Sequence, residues 1–293
     1  MKLDSKHHPI NNLSVLKFSG ADTLSFLQGQ LSNDLNALSS SWQFSGYCNP
    51  KGRLLALFQV WKNGEDIYAT IDSTLVYATV KRLRMYVMRS KVVIDQLETA
   101  RCTGVIGDSS QSSSKLDENA ERFSIDISQS THTLYFGDRA LIIELAPNDS
   151  TTPAQADSQV WDLASISNGE PTINADNVEM FVPQMVNLDL LGGINFKKGC
   201  YTGQEIVARM HYLGKLKQRM FVCKLDGIAT SGEKILAGEK NAGNIVSVAK
   251  GSVSAASGLA LAVIRRELIN NELATESGAK LVPWATQPYS IPD

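Results

Sequence analysis

Phe196-Lys197-Lys198-Gly199-Cys200-Tyr201-Thr202-Gly203-Gln204-Glu205-Ile206-Val207-Ala208-Arg209, followed by His211, Tyr212, Gly214, Lys215 and Arg219, is the stretch on which the chain turns. It packs a thiol, two glycines, two lysines, an amide, a carboxylate and an arginine together, more polar chemistry than a core-filling segment needs. Thr202 and Glu205 stand three apart just before Ile206-Val207-Ala208, the spacing of a capping box, which predicts a helix start. Gly199 and Gly203 allow close backbone approach or a positive φ. Cys200 precedes that helix and follows Lys197-Lys198, and both neighbours favour thiolate over thiol. Selective reactivity of Cys200 among the four cysteines is therefore expected. The ordinary alternative for any cysteine is a small buried hydrophobe.

Outward from this stretch, Lys198 to Glu205 joins Pro183-Gln184, Asn187-Leu188 and Gly192-Gly193-Ile194-Asn195-Phe196. Together they resemble the signature of the YgfZ-type folate-binding proteins, relatives of the glycine cleavage T-protein, an aminomethyltransferase. The resemblance continues at Gly29 to Asp34, Lys51-Gly52-Arg53, Trp161 to Pro171 and the C-terminal region, nearly the whole chain. It implies an α+β fold in a T-protein-like arrangement of three subdomains. Residues 1–46 with 158–216 would form a folate-binding subdomain, 47–157 a ferredoxin-like α+β subdomain, and 217–293 an antiparallel β-barrel. It also implies a cytoplasmic protein that binds tetrahydrofolate and supports assembly or repair of iron–sulfur enzymes, including tRNA-modifying ones. Its partners would be folate and iron–sulfur enzymes or cluster-assembly proteins.

The resemblance makes Cys200 the functional thiol and carries folate contacts to Leu13, Trp161, Ser167, Glu170, Lys198, Tyr201, Gln204 and Arg209. Leu13 would supply an apolar wall and Trp161 a face for the pterin ring. From the residues alone, Trp161 reads as core. Two departures matter. Relatives that transfer a one-carbon unit carry an aspartate where this chain has Lys51 to Ala56, without an acid. That omission argues against the alternative of a folate-dependent aminomethyltransferase or demethylase. Ser167 stands where relatives place a pterin-gripping glutamate, and losing that charge-assisted pair costs about 1.5–3 kcal/mol. Asn168 and Glu170 are the available substitutes. A protein-interaction module with a vestigial pocket is the remaining alternative.

With 293 residues, 43% hydrophobic and 20% charged, the chain is an ordinary globular protein of two or three domains. A net charge of −2 argues against stable nucleic-acid binding, although local basic patches remain open. No apolar run is long enough to cross a membrane. The cysteines lie far apart, without C-x-x-C or histidines at ligand spacing, so a metal site held by this chain alone is not expected. The first nine residues read as a frayed tail, with His7 and His8 in it, and His132 reads as a turn residue. His211 is separated from Cys200 by a helix. Lys197, Lys198, Arg209, Lys215, Lys217 and Arg219 are expected to form a cationic rim.

In chain order, Leu13 to Phe18 reads as a strand, and a helix with Leu24, Leu27 and Leu31 on one face ends near Gly29. Asn33 and Asp34 offer capping oxygens. Leu54 to Trp61 and Asp66 to Ile71 flank Asn63-Gly64 as a hairpin. Asp72-Ser73-Thr74 caps a helix, and strands follow near Lys91–Ile94, Cys102–Ile106, Thr133–Phe136 and Ala140–Leu145. Lys81, Arg82, Arg84, Arg89 and Lys91 form a cationic run, ordinarily a solvated face, or else a landing strip for an anion. Residues 108–119 and 147–158 read as loops. Short strands with Gly-rich turns after Gly214 read as a small barrel.

Overall fold

A computed structural model describes residues 7–107, 121–147, 159–212, 214, 216–250 and 257–292. The expected loop at 108–119, most of that at 147–158, the first six residues and Lys215 lie outside the described residues. The chain forms two compact units.

The first unit comprises Met1–Gly29, Asp34–Phe44 and Phe58–Trp161. It opens with β1 (His7–Pro9), β2 (Leu13–Ser19) and α1 (Thr23–Gln28), which stops at Gly29. β3 (Gln43–Cys48) and β4 (Leu54–Asn63) each begin or end outside this unit. β4 and β5 (Asp66–Asp72) pair antiparallel with Asn63 opposite Asp66, so the hairpin forms where expected but its two-residue loop is Gly64-Glu65, one residue later than the Asn63-Gly64 pair. Asp72 accepts a hydrogen bond from Thr74 N at 3.0 Å and so caps the turn leading into α2 (Val76–Val87). β6 (Val93–Gln96) completes a five-stranded sheet in the order β3-β4-β5-β2-β6.

A second sheet contains β7 (Arg101–Ile106), β8 (Ile125–Ser128), β9 (Thr131–Tyr135) and β10 (Arg139–Glu144), in the order β1-β7-β10-β9-β8. The supposed N-terminal tail is thus partly strand. His7 pairs with Val105 and His8 with Gly104, and His8 is buried. His132 is likewise no turn residue but a fully buried member of β9. Its Nδ1 accepts the indole N–H of Trp61 at 2.8 Å, so in the neutral ring Nε2 carries the proton and faces the Asn63 amide.

The second unit comprises Gln30–Asn33, Ser45–Leu57 and Asp162–Asp293. α3 (Gln159–Ser167) enters it, α4 (Gln204–Tyr212) follows the Cys200 stretch, and the rest is a closed barrel. Its strands are β11 (Gln218–Asp226), β12 (Lys234–Ala237), β13 (Lys240–Lys250), β14 (Ser257–Arg265), β15 (Leu273–Thr275) and β16 (Lys280–Pro283). They close antiparallel in the order β11-β14-β13-β12-β15-β16, so no long edge is left open. Ile235, Ile245, Ala260, Ala262, Ile264 and Leu281 fill the interior from alternate positions. The buried Asn177 amide fastens the preceding loop to this barrel by donating to Thr172 O, Ser231 Oγ and Val246 O at 2.9–3.0 Å.

Candidate functional site around Cys200

The loop carrying Cys200 is tied at both ends. At its start, Asn195 Oδ1 accepts from Lys197 N at 2.8 Å and Lys198 N at 3.0 Å, an Asx turn. At its end, Gln204 Oε1 accepts from Tyr201 N at 3.3 Å while Gln204 Nε2 donates to Lys198 O at 3.4 Å. Gln204 rather than the Thr202–Glu205 pair therefore supplies the side-chain bonds recorded at the entry to α4. Between these ties Gly199 and Cys200 stand at the apex, both exposed.

Lys198 points the other way. Its side chain is buried, and its Nζ donates to Leu31 O at 2.7 Å and Asn33 O at 2.8 Å, 5.3 Å from the centre of the Tyr201 ring. A buried ammonium held by two carbonyls and a π face is compensated enough to remain there. It acts as a peg beneath the loop, not as a rim cation beside the thiol. Arg219 also turns inward, paired bidentately with Asp189 at 2.6 and 2.9 Å and bonded to Gln184 O. Of the expected cationic rim, Lys197, Arg209 and Lys217 remain exposed among the described residues.

The opposite wall is the Asn49–Arg53 turn. Asn49 Oδ1 accepts from Lys51 N and Arg53 N, and its Nδ2 donates to Glu179 Oε1, at 2.9–3.0 Å. Gly52 takes φ +69° and Gly203 φ +83°. A Cβ on Gly203 would lie 2.5 Å from Asn49 O, and one on Gly52 2.9 Å from Ile206 Cβ. Two separate stretches of the sequence thus meet backbone to backbone, and glycine is required where they touch. Gly199 is different: a Cβ there would meet nothing within 4 Å. Gln184 Nε2 donates to Val207 O at 2.6 Å and Asn187 Nδ2 to Met220 O at 2.8 Å, which holds α4 and β11 to the short helical turn that carries Gln184 and Asn187.

Access separates the four thiols. Cys48, Cys102 and Cys223 are buried, and burial pushes each up to about 12, whereas Cys200 is exposed. Tyr201 is buried as well, and its phenol is raised by burial first and by nearby Cys48 second. His211 is no partner for the thiol in this arrangement. Its ring lies flat on Phe196, with centres 3.7 Å apart and planes at 13°. No group of three or more metal-ligating side chains occurs among the described residues.

The other carried-over positions behave differently from one another. Leu13, in the first unit, borders a cavity of about 520 Å³ with Asn11, Gln96, Leu97, Glu98 and Arg101. Trp161, in the same unit, is 6% exposed. Phe136 meets its ring edge-on and the fully buried Arg139 guanidinium lies 5.0 Å from it, while a Cβ on Gly104 would come within 2.3 Å. In the second unit, Ser167 Oγ donates to Leu163 O at 2.7 Å within α3, and Glu170 is buried. Arg209 is exposed on α4. Lys198, Tyr201 and Gln204 gather around the Cys200 loop. The peg and the Asn49 turn escaped sequence reasoning, although Asn195 two residues before Lys197 was a local sign of the Asx turn.

No family model matches the chain. Among known proteins it is similar to the tRNA-modifying protein YgfZ of Hamiltonella defensa, 31% identical over 229 residues. The YgfZ of Vibrio vulnificus is 33% identical over 221 residues, and both alignments cover 72% of this chain and 68% of the relative. Among solved structures, the glycine cleavage system aminomethyltransferase T of Bartonella henselae superposes with a TM-score of 0.72 at 13% identity. It covers 97% of this chain and 85% of that one, a likeness of fold.

Proposed function

The chain belongs to the YgfZ family, and on that premise we propose that it is an accessory protein of tRNA modification that works through Cys200 on iron–sulfur enzymes. One observation carries this reading: of four thiols, the exposed one sits on a loop whose two ends are fixed by Asn195, Lys198 and Gln204. A thiol held out by a rigid loop can meet a macromolecular partner without prior rearrangement. Thiolate sulfur is also a soft ligand suited to iron. The chain's own part is to fix the sulfur in place and hold its competing thiols inside.

Tetrahydrofolate is the ligand class that the resemblance adds. A pterin grip built on Trp161 and Ser167 does not fit this chain, because the indole is packed in the first unit and the hydroxyl is bonded within its own helix. The cavity at Leu13 offers a better donor set for the same ligand, an apolar wall with the Glu98 carboxylate, the Gln96 amide and the Arg101 guanidinium.

The decisive experiment is complementation of a deletion strain with Cys200→Ala and Cys200→Ser, reading iron–sulfur enzyme activity and tRNA modification together. Both variants are expected to fail while accumulating to the wild-type level. Full rescue by either would end the thiol reading. Titration with tetrahydrofolate that leaves the melting temperature unmoved at millimolar ligand would remove the folate and leave the thiol standing.

A further inference from the structure

Helix α2 carries an outer face as well as a buried one. Val76, Thr79 and Leu83 turn inward. On the opposite side Tyr77, Lys81, Arg84 and Met85 lie at helical spacing and line a single exposed stripe, and Met88, just past the helix end at φ +39°, is exposed beside it. Tyr77 is 77% exposed and Met88 87%. Large apolar side chains exposed singly need no explanation, but a row of them along one helix does. Arg82 and Tyr86 flank the row, and Arg89 and Lys91 carry the charge beyond the helix end. Lys81 Nζ lies 5.8 Å from the centre of the Tyr77 ring, and the Arg82 guanidinium 6.0 Å from that of Tyr86.

The sequence from Ser73 to Ile94 contains no acid, so charge is segregated here within a chain whose net charge is only −2. The carboxylates recorded alongside are Asp22, which accepts from Lys91 N at 2.7 Å, and Asp95, which follows Ile94 on β6. Arg84 Nη2 donates to Ile94 O at 2.9 Å, which leaves one cation pre-positioned at the edge of the stripe.

We propose that this face of α2 is a docking surface for RNA. Phosphates would lie on Lys81, Arg82, Arg84 and Arg89, and bases would replace the cations over the Tyr77 and Tyr86 rings. Basic residues interleaved with aromatic ones are the arrangement that single-stranded nucleic acid uses, because every base has a π face and every linkage a charge. A lipid surface or an amphipathic protein helix calls instead for a continuous apolar band with the cations at its borders. This surface goes beyond the thiol reading and stands independently of it.

The test is fluorescence anisotropy of a fluorescein-labelled 12-nucleotide single-stranded RNA with the full chain, between 50 and 200 mM KCl. Wild type is expected to bind, more weakly as salt rises. Lys81→Ala with Arg84→Ala should weaken binding about 10-fold at the lowest salt and flatten the salt dependence by about 0.7 per cation removed. Tyr77→Ala should weaken it about 5-fold with the salt dependence unchanged. Lys240→Ala, exposed on the barrel, should bind as wild type. All four positions are exposed, and if the double variant melts lower than wild type, Lys81→Ala alone decides. Absence of binding at 50 mM KCl, an equal loss with Lys240→Ala, or stripe-dependent binding of polyglutamate or anionic vesicles that RNA does not displace would each overturn the proposal.

Discussion

Gly203 and Gly199 lie on the same loop yet answer to different constraints. With φ +83° and Asn49 O in the way, Gly203→Ala should cost about 1–3 kcal/mol, whereas Gly199→Ala should shift stability by less than about 0.5 kcal/mol. Urea titration of the two variants checks the contrast. Cys200 should react with iodoacetamide at least about 10-fold faster than Cys48, Cys102 or Cys223 in the native protein, read by peptide mass spectrometry, because three of the four are sealed. His132 adds a pH dependence. Burial holds its imidazole below the ordinary value of 6.5, so the unfolded chain takes up the proton first. Well above that value His132 leaves stability unchanged. As pH falls through it, stability drops by at most about 1.4 kcal/mol per unit, until the folded-state pKa is reached. His132→Gln should flatten this fall in denaturation curves taken from pH 7.5 to 5. The exposed thiol was legible at this scale, since the surrounding residues are local in sequence. The directions of Lys198 and Arg219 were not, because a cation's partner 30 or 165 residues away leaves no local trace.

Elements built from local signals came through in the sequence. The turn signal at Asn63-Gly64, the Asp72 cap and the largely apolar run from Leu54 to Trp61 act within a few residues. β1, β3 and β8 did not. His7–Pro9 has too few residues for a period, Gln43–Cys48 is buried on both faces and so does not alternate, and Ile125–Ser128 is mostly exposed. The loop-to-helix unit of residues 195–212 is held by local ties from Asn195 and Gln204 and by long-range ones from Lys198. Lys198→Met removes the two Nζ hydrogen bonds to Leu31 O and Asn33 O, at about 1–3 kcal/mol each. Hydrogen exchange should show faster opening of residues 195–204 than in wild type. Unchanged protection there would mean that Asn195 and Gln204 suffice.

At the scale of the molecule, the C-terminal barrel was readable from its turn spacing, because each hairpin announces itself. How the last residues are fastened was not. The Tyr289 hydroxyl donates to Gly169 O at 2.8 Å and accepts from Asn187 Nδ2 at 3.2 Å, and a Cβ on Gly169 would come within 2.7 Å of that ring. Tyr289→Phe should cost about 0.5–1.5 kcal/mol in the second unit, and Gly169→Ala more, since it displaces the ring and strains a φ of +67°. Differential scanning calorimetry of both variants checks the order.

The ammonium beneath the Cys200 loop has a topological consequence. It joins Leu31 and Asn33 directly to position 198 and so short-circuits the chain between them. Insertions or deletions in the intervening segments can change the length of that detour without changing the sulfur's anchorage. Its coordinates are written in two short passages at either end.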